Sequence, residues 1–110
     1  MLYIFHHLGL GDHIICNGMV RYFHEKFGNI KLFCKKHNLK NVQIMYKDLH
    51  NFEIIAVDMG DFEVESYIKQ NNIYSDVIKI GFNELSKYIP PLTFDVAFYK
   101  IADIDFQLRF

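Results

Sequence analysis

The stretch His6-His7-Leu8-Gly9-Leu10-Gly11-Asp12-His13 limits what this chain can fold into more than any other. It follows the apolar run Leu2-Tyr3-Ile4-Phe5 and precedes Ile14 to Phe27, where large apolar side chains stand at positions 15, 19, 22, 23 and 27. That spacing is the period of an amphipathic helix. A short strand, a tight glycine turn and a helix start thus place one carboxylate and three imidazoles at a single junction. In a parallel sheet such a junction lies at the carboxyl end of the strand. There α/β folds open the crevice that receives ligands, and unpaired helix N–H groups point outward.

The rest of the chain repeats the alternation of strand and helix. Phe27-Gly28-Asn29 carries the glycine signal of a helix stop, and Ile30 to Cys34 reads as a second strand. His37-Asn38 offers a cap for a helix from Leu39 to about Tyr46, with Val42, Met45 and Tyr46 on its apolar side. Phe52 to Val57 is the third strand, and its near-continuous apolar character predicts a sheet covered on both faces. Asp61 can cap a helix from Phe62 to Gln70 that Asn71-Asn72 stops, and Val77 to Ile80 makes a fourth strand. Asn83 to Ile89 reads as one or two helical turns stopped by Pro90-Pro91, and Phe94 to Tyr99 fits a strand or a short helix, with the helix preferred. The predicted fold is α/β: one domain over residues 1–110 with a Rossmann-like parallel sheet, flanking helices and right-handed crossovers.

Composition narrows the function classes. At 110 residues with 51% hydrophobic and 16% aromatic side chains, the chain can form one core. A net charge of −1 argues against nucleic acid as a partner. Cys16 and Cys34 stand alone, without the spacing of a zinc site or a disulfide framework, and read as buried thiols. No apolar stretch is long enough to span a membrane, and Met1 leads directly into a strand with no basic flank or cleavage site of a leader. A cytoplasmic setting is expected, with peripheral membrane contact left open.

The turn is a poor dinucleotide loop. Gly9 and Gly11 match two glycines of that fingerprint, but Ile14 stands at the third. The second strand ends in Cys34-Lys35-Lys36 where a ribose-binding acid is expected, and no Gly-Lys-Ser or Gly-Lys-Thr makes a P-loop. Asp12, read as the first helical residue, can accept the N–H of Ile14 or Ile15, which sets its carboxylate where a phosphate would bind. Such a turn suits a sugar or alcohol hydroxyl, with Asp12 either a plain cap or a general base. Alternation sends His6 and His7 to opposite faces, so one of them at most joins His13 at the site. No metal is expected, because the histidines lack acidic or thiol partners at ligand spacing. His24, His37 and His50 read as solvated. Lys35, Lys36, Lys40 and Lys47 form a loosely basic patch, and Asp58 and Asp61 read as turn or cap residues.

Met1 to Phe27, with its strand, the Leu10-Gly11-Asp12 turn and a helix carrying Asn17-Gly18 and Arg21, resembles the opening of GT-B glycosyltransferases of the heptosyltransferase-like kind. The resemblance implies that this domain binds a sugar or glycan acceptor. A second Rossmann-like domain, outside these 110 residues, would bind the nucleotide sugar. It makes Gly11 the turn glycine and Asp12 the base; from the residues of this chain themselves, Gly9, Gly11, His13 and His7 are read as shaping the acceptor pocket, with no cofactor or metal expected in this half. The isolated chain is then expected to be inactive as a transferase. The alternative is a non-catalytic Rossmann-like module, binding a partner or a second copy of itself through Phe98, Tyr99, Phe106 and Phe110.

Overall fold

The strand β1 (Leu2–Phe5) runs up the middle of a sheet in which every pairing is parallel. A computed structural model describes residues 1–80 and Tyr99. Beside β1 lies β2 (Ile30–Lys35), then β3 (Phe52–Val57), while β4 (Val77–Lys79) pairs with the other edge of β1. The connections are α1 (Leu10–Ile15), α2 (Asn17–Phe27), α3 (Leu39–Met45) and α4 (Asp61–Asn71), with short 3-10 turns at Lys36–Asn38 and Tyr74–Asp76. The order β3-β2-β1-β4 arises because the chain steps outward twice from β1 and then returns to its open edge. This is the α/β, Rossmann-like arrangement that the alternation of elements predicts. The expected helical turns over 83–89 and all of 94–99 except Tyr99 lie outside the described residues.

Strand alternation divides the interior in two. Leu2, Ile4, Ile30, Leu32 and Cys34 face one side and pack with Met19, Val20 and Phe23 of α2, Val42 of α3, and Tyr46. Phe5, Phe33 and Val57 face the other side with Val64 and Ile68 of α4, and Tyr3, Ile55 and Tyr67 fill in around them. Phe33 centres this second core, with Tyr3, Phe5 and Tyr67 rings at 6.0, 5.9 and 5.5 Å. The two faces are therefore covered as expected, with one difference. Only Val57 of β3 is buried, because β3 is the outermost strand among the described residues.

The stops fall where the sequence puts them: Gly28 ends α2 with φ 78, and Asn72 ends α4 with φ 52. Arg21 locks α2 to the end of α3. Its guanidinium makes a forked pair with Asp48 (2.8 and 2.9 Å), donates to the Met45 carbonyl at 2.7 Å and lies over the Tyr46 ring. Both cysteines are buried and unbonded. Burial pushes the Cys34 thiol up to about 11 and the Cys16 thiol further still, so both are inert. Among the described residues no helix is long and apolar enough to cross a membrane.

The helix expected to run unbroken to Phe27 is instead two, divided at Cys16 (φ −84, ψ 1). A continuous helix would bond the Met19 N–H to the Ile15 carbonyl. Here Tyr99 stands between them: its hydroxyl donates to Ile15 O at 2.7 Å and accepts from Met19 N–H at 3.2 Å. A side chain inserted into the ladder is a known cause of such a kink. Tyr99 is fully buried, which removes it from the exposed aromatic surface expected near the end of the chain. Phe98, Phe106 and Phe110 lie outside the described residues. Tyr99→Phe leaves both backbone groups without a partner and should destabilise the chain by about 1–3 kcal/mol in urea unfolding. Unchanged stability would show that α1 and α2 do not need the bridge.

Candidate functional site

The carboxyl ends of β1, β2 and β3 open into a cleft of about 410 Å³ lined by His7, Leu8, Gly9, Asp12, Lys35, Met59, Gly60 and Asp61. The turn after β1 forms one wall, Lys35 closes β2, and the segment between β3 and α4 forms the opposite wall. Such a place follows from parallel topology, since each strand delivers its following loop to the same edge. The cleft sits over β1, β2 and β3, on the side away from β4.

Asp12 is not the first residue of its helix. α1 begins at Leu10 with Gly9 as its cap, so Asp12 is the third helical residue and reaches back rather than forward. Its Oδ2 accepts the Gly9 N–H at 3.1 Å, while the Gly9 carbonyl accepts the His13 N–H at 3.2 Å. Gly9 has ordinary extended angles; what requires glycine is closeness, because a Cβ there would stand 2.8 Å from Asp12 Oδ2. Gly11 is different. It is exposed inside α1, a Cβ on it would meet nothing within 4 Å, and it does not line the cleft. The helix starts two residues earlier than the sequence suggested and places Gly11 outside the lining of this cleft.

The histidines also sort differently. The partner of His13 is His6, not His7: their rings meet edge to face with centroids 4.4 Å apart, and both side chains are fully buried. His13 is buried beneath the turn and does not line the cleft. His7, on the opposite face, does line it. His6 Nδ1 contacts the His7 carbonyl, which fixes the proton on Nδ1 and leaves Nε2 a buried lone pair without a donor. Both nitrogens of His13 are likewise without a partner among the described residues. Desolvation lowers His6 to about 4, and desolvation with the neighbouring His6 lowers His13 to about 3. Both are neutral at pH 7. Among the described residues no group of three or more His, Cys, Asp or Glu side chains is placed to hold a metal.

The remaining lining residues were legible only as parts of other features. Asn38 was expected as a helix cap, but its buried Nδ2 donates to the Leu8 carbonyl at 3.2 Å and ties the turn to the end of β2. Lys35 was one member of a basic patch and Asp61 a cap; adjacency of strand ends brings both to Asp12. Ile14 is 60% exposed, so it does not press on β1 as a third-glycine substitute would. The obstacle to a pyrophosphate is Asp12 itself, which already holds the Gly9 N–H. Comparison with protein-family models, curated proteins and solved structures returned no match. The site therefore rests on its own geometry.

The buried histidine pair makes stability depend on pH. Their folded pKa values lie below the ordinary 6.5, so stability is fully present above pH 6.5 and falls as the unfolded chain takes up protons that the folded chain refuses. Between pH 6.5 and 5 the loss should reach up to about 1.4 kcal/mol per pH unit for each histidine. His13→Phe should roughly halve the slope in urea unfolding, and a flat wild-type profile would refute it. In the same assay Gly11→Ala should be neutral or stabilising by up to about 1 kcal/mol, whereas Gly9→Ala must displace the Asp12 carboxylate and destabilise.

Proposed function

We propose that this chain is the acceptor-binding part of a glycosyltransferase that moves a sugar from a nucleotide sugar to an acceptor hydroxyl. One observation carries the reading. Asp12 is half-buried at the wall of a polar cleft, with one carboxylate oxygen held by the Gly9 N–H and the other without a protein partner among the described residues. A carboxylate fixed in this way can take the proton of a hydroxyl placed at hydrogen-bonding distance, as that oxygen bonds to the anomeric carbon of the donor. The bond from that carbon to the donor's phosphate oxygen breaks, and the nucleotide leaves with the electron pair. His7 and Asp61 line the same opening and supply further groups for hydroxyls. The resemblance of the Leu10-Gly11-Asp12 opening to the heptosyltransferase-like enzymes supports this role for Asp12. It also leaves nucleotide-sugar binding to a second Rossmann-like domain. In this reading the acceptor is a sugar or glycan, the setting is cytoplasmic, and neither a metal nor another cofactor takes part in this half.

The non-catalytic alternative has one observation of its own. Met59 is 81% exposed and Phe62 80% exposed, both beside the cleft. If they mark a contact with a second copy, sedimentation at high protein concentration shows a dimer that Phe62→Glu dissolves; a monomer at all concentrations removes this reading.

The transferase reading is tested by transfer of label from nucleotide sugars to a glycan mixture. The assay compares the 110-residue chain alone with the chain joined to a donor-binding domain. Turnover should require the donor domain, and Asp12→Asn should lower kcat by about 10²–10⁴-fold. Asparagine keeps an oxygen for the Gly9 N–H, so stability should be unchanged. Undiminished turnover in Asp12→Asn would reduce the carboxylate to a helix cap.

A further inference from the structure

Lys35 is the cleft residue that the turn around Asp12 does not account for. It closes β2 opposite Val57 of β3, and its side chain runs across Gly60, where a Cβ would stand 3.3 Å from Lys35 Cε. Gly60 has φ 102 and ψ −143, a backbone conformation that residues with side chains avoid. The backbone therefore requires glycine at this position, and the missing side chain lets the lysine stem pass close over it. The next lysine is disposed differently. Lys36 Nζ lies 3.8 Å from Asp58 Oδ1, and the Asp58 N–H donates to Glu63 Oε2 at 3.0 Å, which fastens the β3–α4 connection. Lys35 has no ion pair among the described residues, although Asp12 and Asp61 line the same cleft.

Among the described residues the cleft thus presents one ammonium and two carboxylates that do not satisfy one another at contact distance. A phosphate group would meet a single cation against two anions, an unfavourable balance. A pair of adjacent hydroxyls suits both signs, because each hydroxyl accepts through its oxygen and donates through its proton. Resting on the acceptor-site reading above, we propose that the cleft takes the uncharged diol edge of a sugar ring. Lys35, held in place by Gly60, donates to one hydroxyl, and Asp61 accepts from its neighbour. Lys35 is then the residue that selects the acceptor, while Asp12 acts on the hydroxyl that reacts.

The test is an amide-resolved NMR titration of the 110-residue chain with the methyl α-glycosides of glucose, mannose and galactose, and separately with inorganic phosphate. At least one glycoside should shift the amides of Gly9, Lys35 and Gly60, and both Lys35→Met and Lys35→Gln should raise its Kd about tenfold or more. Phosphate should shift none of them. Glycoside binding that survives both Lys35 variants unchanged overturns the role of Lys35 and leaves the acceptor site standing. Phosphate binding tighter than any glycoside overturns the choice of a neutral sugar. No shift at the cleft with any glycoside overturns both this inference and the acceptor reading on which it rests.

Discussion

The histidines that follow β1 take their direction from its two-residue alternation. Leu2 and Ile4 anchor one core, Tyr3 and Phe5 the other, and the strand is held on both edges by β2 and β4. The last rung is the Ile80 N–H on the Phe5 carbonyl at 2.9 Å. Beyond it the alternation persists for two residues: His6 turns into the α2 side beside His13, and His7 turns out to the cleft. A shift of β1 by a single residue would exchange these roles and expose both cores. The turn is therefore not a flexible loop attached to a sheet but the continuation of a strand whose faces are already committed.

Much of this was legible in the residues. The apolar runs located all four described strands, and Gly28 and the Asn71-Asn72 pair marked helix ends correctly, because those signals are local. The edge where the loops gather and the cleft opens was also readable, since parallel topology fixes it. What failed were features decided by partners distant in sequence. The break at Cys16 needs a hydroxyl from Tyr99, and no local pattern near residue 16 announces it. The burial of His13 needs His6 across the turn. Asn38 stands at the N-cap of α3 as expected, but its side chain bonds the buried Leu8 carbonyl instead of capping the helix. Lys35 joined the site through strand register, which hydrophobic spacing does not encode residue by residue.

The arrangement around Gly9 shows how one small residue decides what the turn can bind. Its lack of a side chain lets the Asp12 carboxylate fold back on the backbone, and that contact occupies the donor a phosphate oxygen would have sought. Glycine in a dinucleotide loop admits the ligand; here it admits the protein's own anion. In the proposed reading, the opening is left with a base among hydroxyl-binding groups. Beneath it, two neutral imidazoles replace what would ordinarily be aliphatic packing, at the cost of nitrogens without partners.

The bridge from Tyr99 to the backbone of Ile15 and Met19 spans 84 and 80 positions of the chain. During synthesis all four described strands leave the ribosome before Tyr99 does, so the sheet can pair while α1 still lacks its hydroxyl bridge. A contact closing so long a loop forms late. The helix that carries Asp12 is then among the last pieces to settle, and a nascent chain holds a finished scaffold before it holds a finished site.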